Sequence, residues 1–72
     1  MKTKIKEFRK KNKLSQGELA DLVGVTRQTI TSLECEKYTA SLMLAYKIAI
    51  QFDVAIDEVF MLKEELDNEE LY

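Results

Sequence analysis

Residues 15–34, SQGELADLVGVTRQTITSLE, constrain the fold more than any other part of the chain. Ser15 can cap a helix, and Glu18 three residues later can complete a capping box. Gly24 follows the last apolar residue of that helix, where it can adopt the left-handed conformation that costs other residues about 1–2 kcal/mol. Thr26 is a second N-cap candidate. The segment therefore predicts two short helices joined by a tight glycine turn.

These two helices separate apolar from polar side chains. Inward-facing apolar residues recur at helical spacing, and they are Leu19, Ala20, Val23, Ile30 and Leu33. The opposite face of the second helix, residues 27–34, carries hydrogen-bonding side chains, none of them acidic: Arg27, Gln28, Thr31 and Ser32. This pattern is typical of a helix-turn-helix motif, whose second helix enters the major groove of DNA.

The motif resembles that of the Cro/C1-type (Xre-like) helix-turn-helix transcriptional regulators of bacteria, archaea and phages. The residues that match at the family's spacing are Gln16, Ala20, Gly24, Ile30 and Leu33, followed by LECEKYTASLMLAYKIA. The resemblance covers roughly residues 4 to 62. It implies a compact, five-helix, lambda-repressor-like DNA-binding domain.

The composition of the whole chain also favours an all-α fold, because the chain lacks proline and holds two glycines. Further helices are predicted over residues 3–11, 42–52 and 56–60, with Ser41 capping the helix at 42. That helix is expected to be central, because its apolar residues form a wide stripe: Leu42, Leu44, Ala45, Ile48, Ala49, Ile50 and Phe52. We predict a domain over residues 1–62. The acidic tail, residues 63–72, could extend a helix, pair as an arm with a partner or fray.

Charge is divided unevenly along the chain. Residues 1–47 hold 10 basic and 5 acidic side chains, whereas residues 48–72 hold 1 basic and 8 acidic. A basic front fits a protein that presents one face to phosphates, although solvated surface charge is the simpler reading of the acidic tail. The tail also offers a possible grip for a basic protein partner.

Several classes of function have little support. The chain has no histidine, a single cysteine and no glycine-rich phosphate loop, so we expect neither catalysis nor a bound metal or cofactor. Its longest apolar stretch is too short to span a bilayer, and no export signal is recognisable. The expectation is a cytoplasmic protein with no membrane association.

The resemblance assigns DNA contacts to particular residues. Arg27 is suited to guanine and Gln28 to adenine, and Thr31 and Ser32 could reach a thymine methyl group or a phosphate. Backbone contacts are expected from Gln16 and from the loop after the recognition helix. The full expected set of DNA-binding residues is Gln16, Thr26, Arg27, Gln28, Thr31, Ser32, Lys37, Tyr38 and Thr39.

The resemblance also implies an ion pair between Arg9 and Glu34, which would lock the recognition helix against the first helix. Two departures from the family concern the following loop, and one of them is Ala40, where the family commonly has a proline. Cys35 and Glu36 replace a usual asparagine-glycine pair, which predicts a differently shaped loop, because glutamate does not relieve a helix end as glycine does. Glu36 also adds negative charge where a phosphate would lie.

A chain this small gains from association, so we expect a homodimer on a near-palindromic double-stranded operator. The surplus apolar residues of the fifth helix and the following turn suggest its interface, and they are Ile56, Val59, Phe60, Met61 and Leu62. They could instead close the core of a monomer. The leading hypothesis is a sequence-specific dimeric repressor. The alternative is an antitoxin or anti-regulator that acts mainly through protein–protein interaction.

Overall fold

The computed structural model describes the backbone of residues 1–67 and the side chains of residues 1–64. Six helices form in this part of the chain. They are α1 (Ile5–Lys11), α2 (Gln16–Val23), α3 (Arg27–Glu34), α4 (Leu42–Gln51), α5 (Ile56–Val59) and α6 (Leu62–Asp67). The all-α fold is confirmed, with one helix more than expected, because the start of the acidic tail is helical. Residues 68–72 of that tail lie outside the described residues.

The predicted N-caps of α2, α3 and α4 are confirmed. The Ser15 hydroxyl accepts from the Glu18 amide at 3.0 Å, and the Glu18 carboxylate accepts from the Ser15 amide at 2.9 Å. The Ser15 amide, and then its hydroxyl, hold the pKa of Glu18 below its ordinary value. Thr26 and Ser41 accept from the backbone amides three residues ahead. Each helix therefore begins at the residue whose side chain satisfies a free amide.

Four helices end on a left-handed residue. Gly24 follows α2 with φ of 76°, as predicted. The corresponding residues after α1, α3 and α4 are Lys13, Glu36 and Asp53, with φ between 56° and 61°. In all three cases the next residue donates its amide to a carbonyl five positions back, which satisfies an otherwise free helix end. These three helices therefore end on left-handed residues that, unlike glycine, carry a Cβ atom.

One apolar core joins the helices. Its fully buried large side chains include Ile5, Leu19, Ile30, Leu33 and Ile48, drawn from α1 to α4. The rings of Phe8 and Phe52 stack at one side of this core, with centroids 5.6 Å apart. The inward predictions for α2 and α3 are confirmed, and both helices pack on their neighbours through the predicted faces.

The expected apolar stripe of α4 is only partly correct. Leu44, Ala45, Ile48 and Ala49 are buried, and Phe52 is buried just after the helix. Leu42 and Ile50 were wrongly placed in the core, because their side chains are 76% and 58% exposed. A helix buries an arc of its circumference, and these two residues lie beyond that arc.

The two ends of the described chain meet. Thr3 and Phe60 form an isolated antiparallel bridge, with the Lys4 amide donating to the Val59 carbonyl at 2.7 Å. Lys2 and Glu64 form an exposed ion pair at 3.6 Å, which joins α6 to the N-terminal segment. Of the helices formed by residues 1–67, none has the length and apolar character needed to cross a membrane.

Candidate nucleic-acid interface

Helix α3 is held from its inner side and open on its outer side. Ile30 and Leu33 are fully buried. Arg27 and Gln28, in the first turn, are exposed, while Thr31 and Ser32 are half-buried. The alternation follows from the helical spacing of the sequence. The outer face therefore presents a guanidinium and a carboxamide on a helix whose position is fixed by the core.

An ion pair fastens α3 to α1. The Arg9 guanidinium donates from Nε to Glu34 Oε2 at 2.8 Å and from Nη2 to Glu34 Oε1 at 3.2 Å. Its Nη1 donates to the Leu14 carbonyl at 2.9 Å. The side chains of Arg9 and Glu34 are 11% and 6% exposed, so the bidentate pair is largely removed from water. The predicted ion pair is therefore present. Through it, the Arg9 side chain connects the last residue of α3 with the α1–α2 loop.

A second set of hydrogen bonds continues from Glu34 to the outer face of α3. Gln16 donates from Nε2 to Glu34 Oε1 at 3.1 Å, and its Oε1 accepts from the Thr31 hydroxyl at 3.1 Å. The same hydroxyl lies 3.1 Å from the Arg27 carbonyl. No local sequence pattern predicts this link, because Gln16 and Thr31 meet only where α2 and α3 pack. It fixes which way the Gln16 carboxamide faces.

An open cleft lies at the N-terminal end of α2. Its volume is about 440 Å³, and its walls are Arg9, Ser15, Gln16, Gly17 and Arg27. The first amides of a helix have no partner within the helix, and the helix dipole is positive at this end. This combination is suited to an anion such as a backbone phosphate.

A smaller groove, of about 280 Å³, lies between α3 and the loop that follows it. Its walls are formed by Thr26, Gln28, Thr29, Ser32, Lys37 and Tyr38. The structure therefore places five of the expected DNA-binding residues along one groove. Thr39 is exposed in the same loop but does not line the groove. The Thr26 hydroxyl is already engaged with the amide and hydroxyl of Thr29, so its first role is to cap α3.

The loop after α3 does not have the altered shape that the sequence predicted. Glu36 takes the left-handed conformation with φ of 61°. Its amide donates to the Leu33 carbonyl at 3.2 Å, and the Lys37 amide donates to the Ser32 carbonyl at 3.0 Å. These are the two bonds of a glycine-type helix end. The prediction of a different loop was wrong, since Glu36 adopts the backbone that glycine would, at a steric cost.

That cost gives a testable prediction. We expect Glu36→Gly to be more stable than Glu36→Ala by about 1 kcal/mol, because both remove the carboxylate and only glycine removes the Cβ from a left-handed residue. Thermal unfolding of the two variants measures the difference, which corresponds to about 4–8 °C in a domain of this size. Equal melting temperatures would show that Glu36 is not strained.

The residues expected at a dimer interface divide into two groups. Val59 and Phe60 are fully buried in the protomer's own core, so they are core residues and have no surface to offer a partner. Ile56 and Met61 are half-buried, and Leu62 is 37% exposed. The backbone of Phe60 also pairs with that of Thr3, a contact between distant parts of the chain.

Comparison with known proteins agrees with this geometry. The helix-turn-helix family model matches residues 5–59, which include all of α1 to α5. The chain belongs to the helix-turn-helix family of transcriptional regulators. An Archaeoglobus fulgidus protein named as an uncharacterized HTH-type transcriptional regulator is 54% identical over 65 residues, which cover 90% of this chain and 92% of the relative.

Two solved structures resemble this helix-turn-helix chain. The restriction-modification controller protein C.AhdI from Aeromonas hydrophila matches with a TM-score of 0.73 and 32% identity, over 79% of this chain and 86% of that one. A chain of the SinR/SinI protein complex matches with a TM-score of 0.73 and 26% identity, over 94% and 65% respectively. The resemblance to Cro/C1-type regulators is confirmed.

Proposed function

We propose that this helix-turn-helix protein is a sequence-specific dimeric repressor that reads a near-palindromic operator. The observation that carries the proposal is the construction of α3. Its inner residues are fully buried and its last residue is fixed by the Arg9 ion pair, while Arg27 and Gln28 are exposed beside two open depressions. A helix held this way can present the same side chains to every base pair it meets.

The exposed side chains of the first turn of α3 carry the reading chemistry. Arg27 can donate two hydrogen bonds to O6 and N7 of guanine, and Gln28 can donate to and accept from adenine at N7 and N6. Each good bidentate pair is worth about 1–3 kcal/mol of discrimination. Thr31 and Ser32 lie one turn further along and contribute shorter-range contacts to a methyl group or a phosphate.

Gln16 acts as a hydrogen-bond donor toward DNA. Its carbonyl oxygen accepts from Thr31, and one of its two N–H groups is used by Glu34. One N–H remains, at the edge of the cleft that also holds the first amides of α2. A backbone phosphate is the matching acceptor, and this contact positions the protein rather than reading sequence.

Further positioning contacts come from the loop after α3. Lys37 and Tyr38 line the groove beside Gln28, and Thr39 is exposed next to them. An ammonium and two hydroxyl groups are typical phosphate contacts. With two protomers, half-site centres would lie about 34 Å apart or at a multiple of that distance. Occupying such a site represses transcription by blocking access to it.

Selection of bound sequences from a random duplex library tests the proposal. We expect a near-palindromic consensus for the wild type, and for Arg27→Ala a loss of preference at one base position per half-site. The loss corresponds to about 5- to 150-fold in relative affinity. Arg27→Lys is the matched control, because it keeps the charge and loses the two-pronged donor. If Arg27→Lys retained the full preference, Arg27 would be acting through charge alone.

A second candidate is a role as an antitoxin or anti-regulator that acts mainly through a protein partner. The similarity to a chain of the SinR/SinI complex and the acidic tail favour it. A protein of this kind would show no enriched DNA sequence at low salt, and it would retain a partner in a pull-down that the isolated residues 1–62 fail to retain.

A further inference from the structure

Helix α4 carries an exposed apolar face that the fold leaves uncovered. Leu42, Met43, Tyr46 and Ile50 are 76%, 63%, 54% and 58% exposed. Leu42, Tyr46 and Ile50 follow each other at four-residue spacing, and Met43 lies three residues before Tyr46, so the four share one side of the helix. Leu22 of α2 is 54% exposed and lines the same depression as Ile50. We call these five residues the α4 face.

From this arrangement we infer that the α4 face is the surface on which a second copy of the chain docks. The inference rests on the proposed dimeric function and places its interface. Single exposed leucines are ordinary, but a contiguous set of large apolar side chains marks an interaction surface. The alternative surface at α5 and the following turn offers less exposed apolar area, because Val59 and Phe60 are buried in the core.

The size of the α4 face suits a homodimer. Burying a leucine, isoleucine or methionine side chain removes roughly 100 Å² of apolar area from water, and an aromatic side chain about 150–250 Å². At the observed exposures the five residues offer on the order of 400 Å² per protomer. A standard interface buries about 800 Å² per partner, a little over half of it apolar.

Charge also favours a second copy over other occupants. In a two-fold interface the same patch meets itself, so a face with many like charges would repel its copy. The α4 face is uncharged, and the rim beside Ile50 carries both Asp21 and Lys47, which gives each copy a group of either sign. A nucleic acid or an anionic lipid surface would need a cluster of cations instead.

The α4 face is compatible with DNA reading by α3. None of its five residues lines the cleft at Arg27 or the groove between Gln28 and Lys37. Leu42 follows Thr39 by three residues, so the α4 face begins next to the loop that is proposed to contact phosphates. The second copy therefore completes the site by adding the other half-site reader.

The test compares Tyr46→Glu, at the middle of the α4 face, with Leu62→Glu, at the alternative surface. Sedimentation equilibrium of the full chain without DNA, from 1 to about 100 µM, gives the dimer dissociation constant. We expect the dissociation constant to rise at least about 100-fold in Tyr46→Glu and in Ile50→Glu. Each change places two carboxylates in the contact, one from each protomer. Leu62→Glu should remain as dimeric as the wild type.

Three results would overturn the inference: a monomeric wild type at 100 µM, unchanged association of both α4 variants, or dissociation caused by Leu62→Glu alone. Thermal unfolding verifies that each variant is folded, and two α4 variants guard against a single failure. The selection from a random duplex library separates this inference from the proposed function. Wild-type dimers that select no sequence would refute operator reading and leave the α4 face intact as the dimer contact.

Discussion

Arg9→Ala is expected to lower the free energy of unfolding by about 3–4 kcal/mol, the largest effect of any single change considered for this protein. The side chains of Arg9 and Glu34 are 11% and 6% exposed, so removal of the guanidinium leaves the carboxylate in a site that water reaches poorly. The Leu14 carbonyl loses its donor in the same step. The expected fall in melting temperature is about 15–25 °C.

Lys10→Ala is the matched control for Arg9→Ala. Lys10 is the next residue of α1, is exposed, and loses the same charge and a side chain of similar length. Thermal unfolding of the two variants should therefore separate the buried pair from a general charge effect. A melting temperature for Arg9→Ala within a few degrees of that for Lys10→Ala would show that the pair adds little.

A double-mutant cycle tests the pair itself. Arg9→Ala and Glu34→Ala each leave one charge without its partner, whereas the double variant leaves neither. We expect the double variant to lose less stability than the two single losses together. Glu34→Ala also affects Gln16, because it removes the carboxylate that accepts a hydrogen bond from the Gln16 carboxamide. If the losses simply add, the two charges act independently.

The features that the sequence predicts well are local ones. Ser15, Gly24 and Thr26 act on backbone groups within four residues of themselves, so their roles depend little on the rest of the fold. The buried faces of α2 and α3 are also predicted correctly, because the apolar spacing of each helix marks the side on which its neighbours pack. The Arg9–Glu34 contact was expected from family resemblance, since no pattern within α1 or α3 alone indicates it.

The features that the sequence missed depend on how distant segments meet. Leu42 and Ile50 look like core residues because apolar spacing shows which side of a helix is apolar but not how wide an arc its neighbours cover. Phe60 was expected at a dimer interface, but it lies where the last residues of the domain meet Thr3 at the start of the chain. Gln16 and Thr31 are each polar residues with no obvious partner, and only the packing of α2 on α3 joins them.

Glu36 illustrates a different limit. A residue-type rule assigns the left-handed helix end to glycine, and its absence predicted another loop shape. The structure keeps the loop because the two backbone bonds from Glu36 and Lys37 hold it, as corresponding bonds do after α1 and α4. Satisfying the free carbonyls of a helix end therefore outweighs a strain of about 1–2 kcal/mol at one residue.

Raising the salt concentration from 50 to 200 mM is expected to weaken operator binding about a thousandfold. The estimate follows from about six phosphate contacts in a dimer, the lower end of the range for which binding falls about 10³- to 10⁵-fold over this change in salt. Per protomer, the candidates are the N-terminal end of α2 with Gln16, the Lys37 ammonium, and the hydroxyl groups of Tyr38 and Thr39. Titration of a labelled operator duplex at four salt concentrations gives the slope.

Lys37→Ala separates positioning from reading in that titration. We expect it to reduce the slope by about one contact per protomer and to weaken the operator and a scrambled duplex equally, because a phosphate carries no sequence information. Lys63→Ala is the control, since Lys63 is an exposed lysine on α6, outside both depressions beside α3. An equal loss of slope in Lys63→Ala would mean that overall charge, rather than the loop after α3, sets the salt dependence.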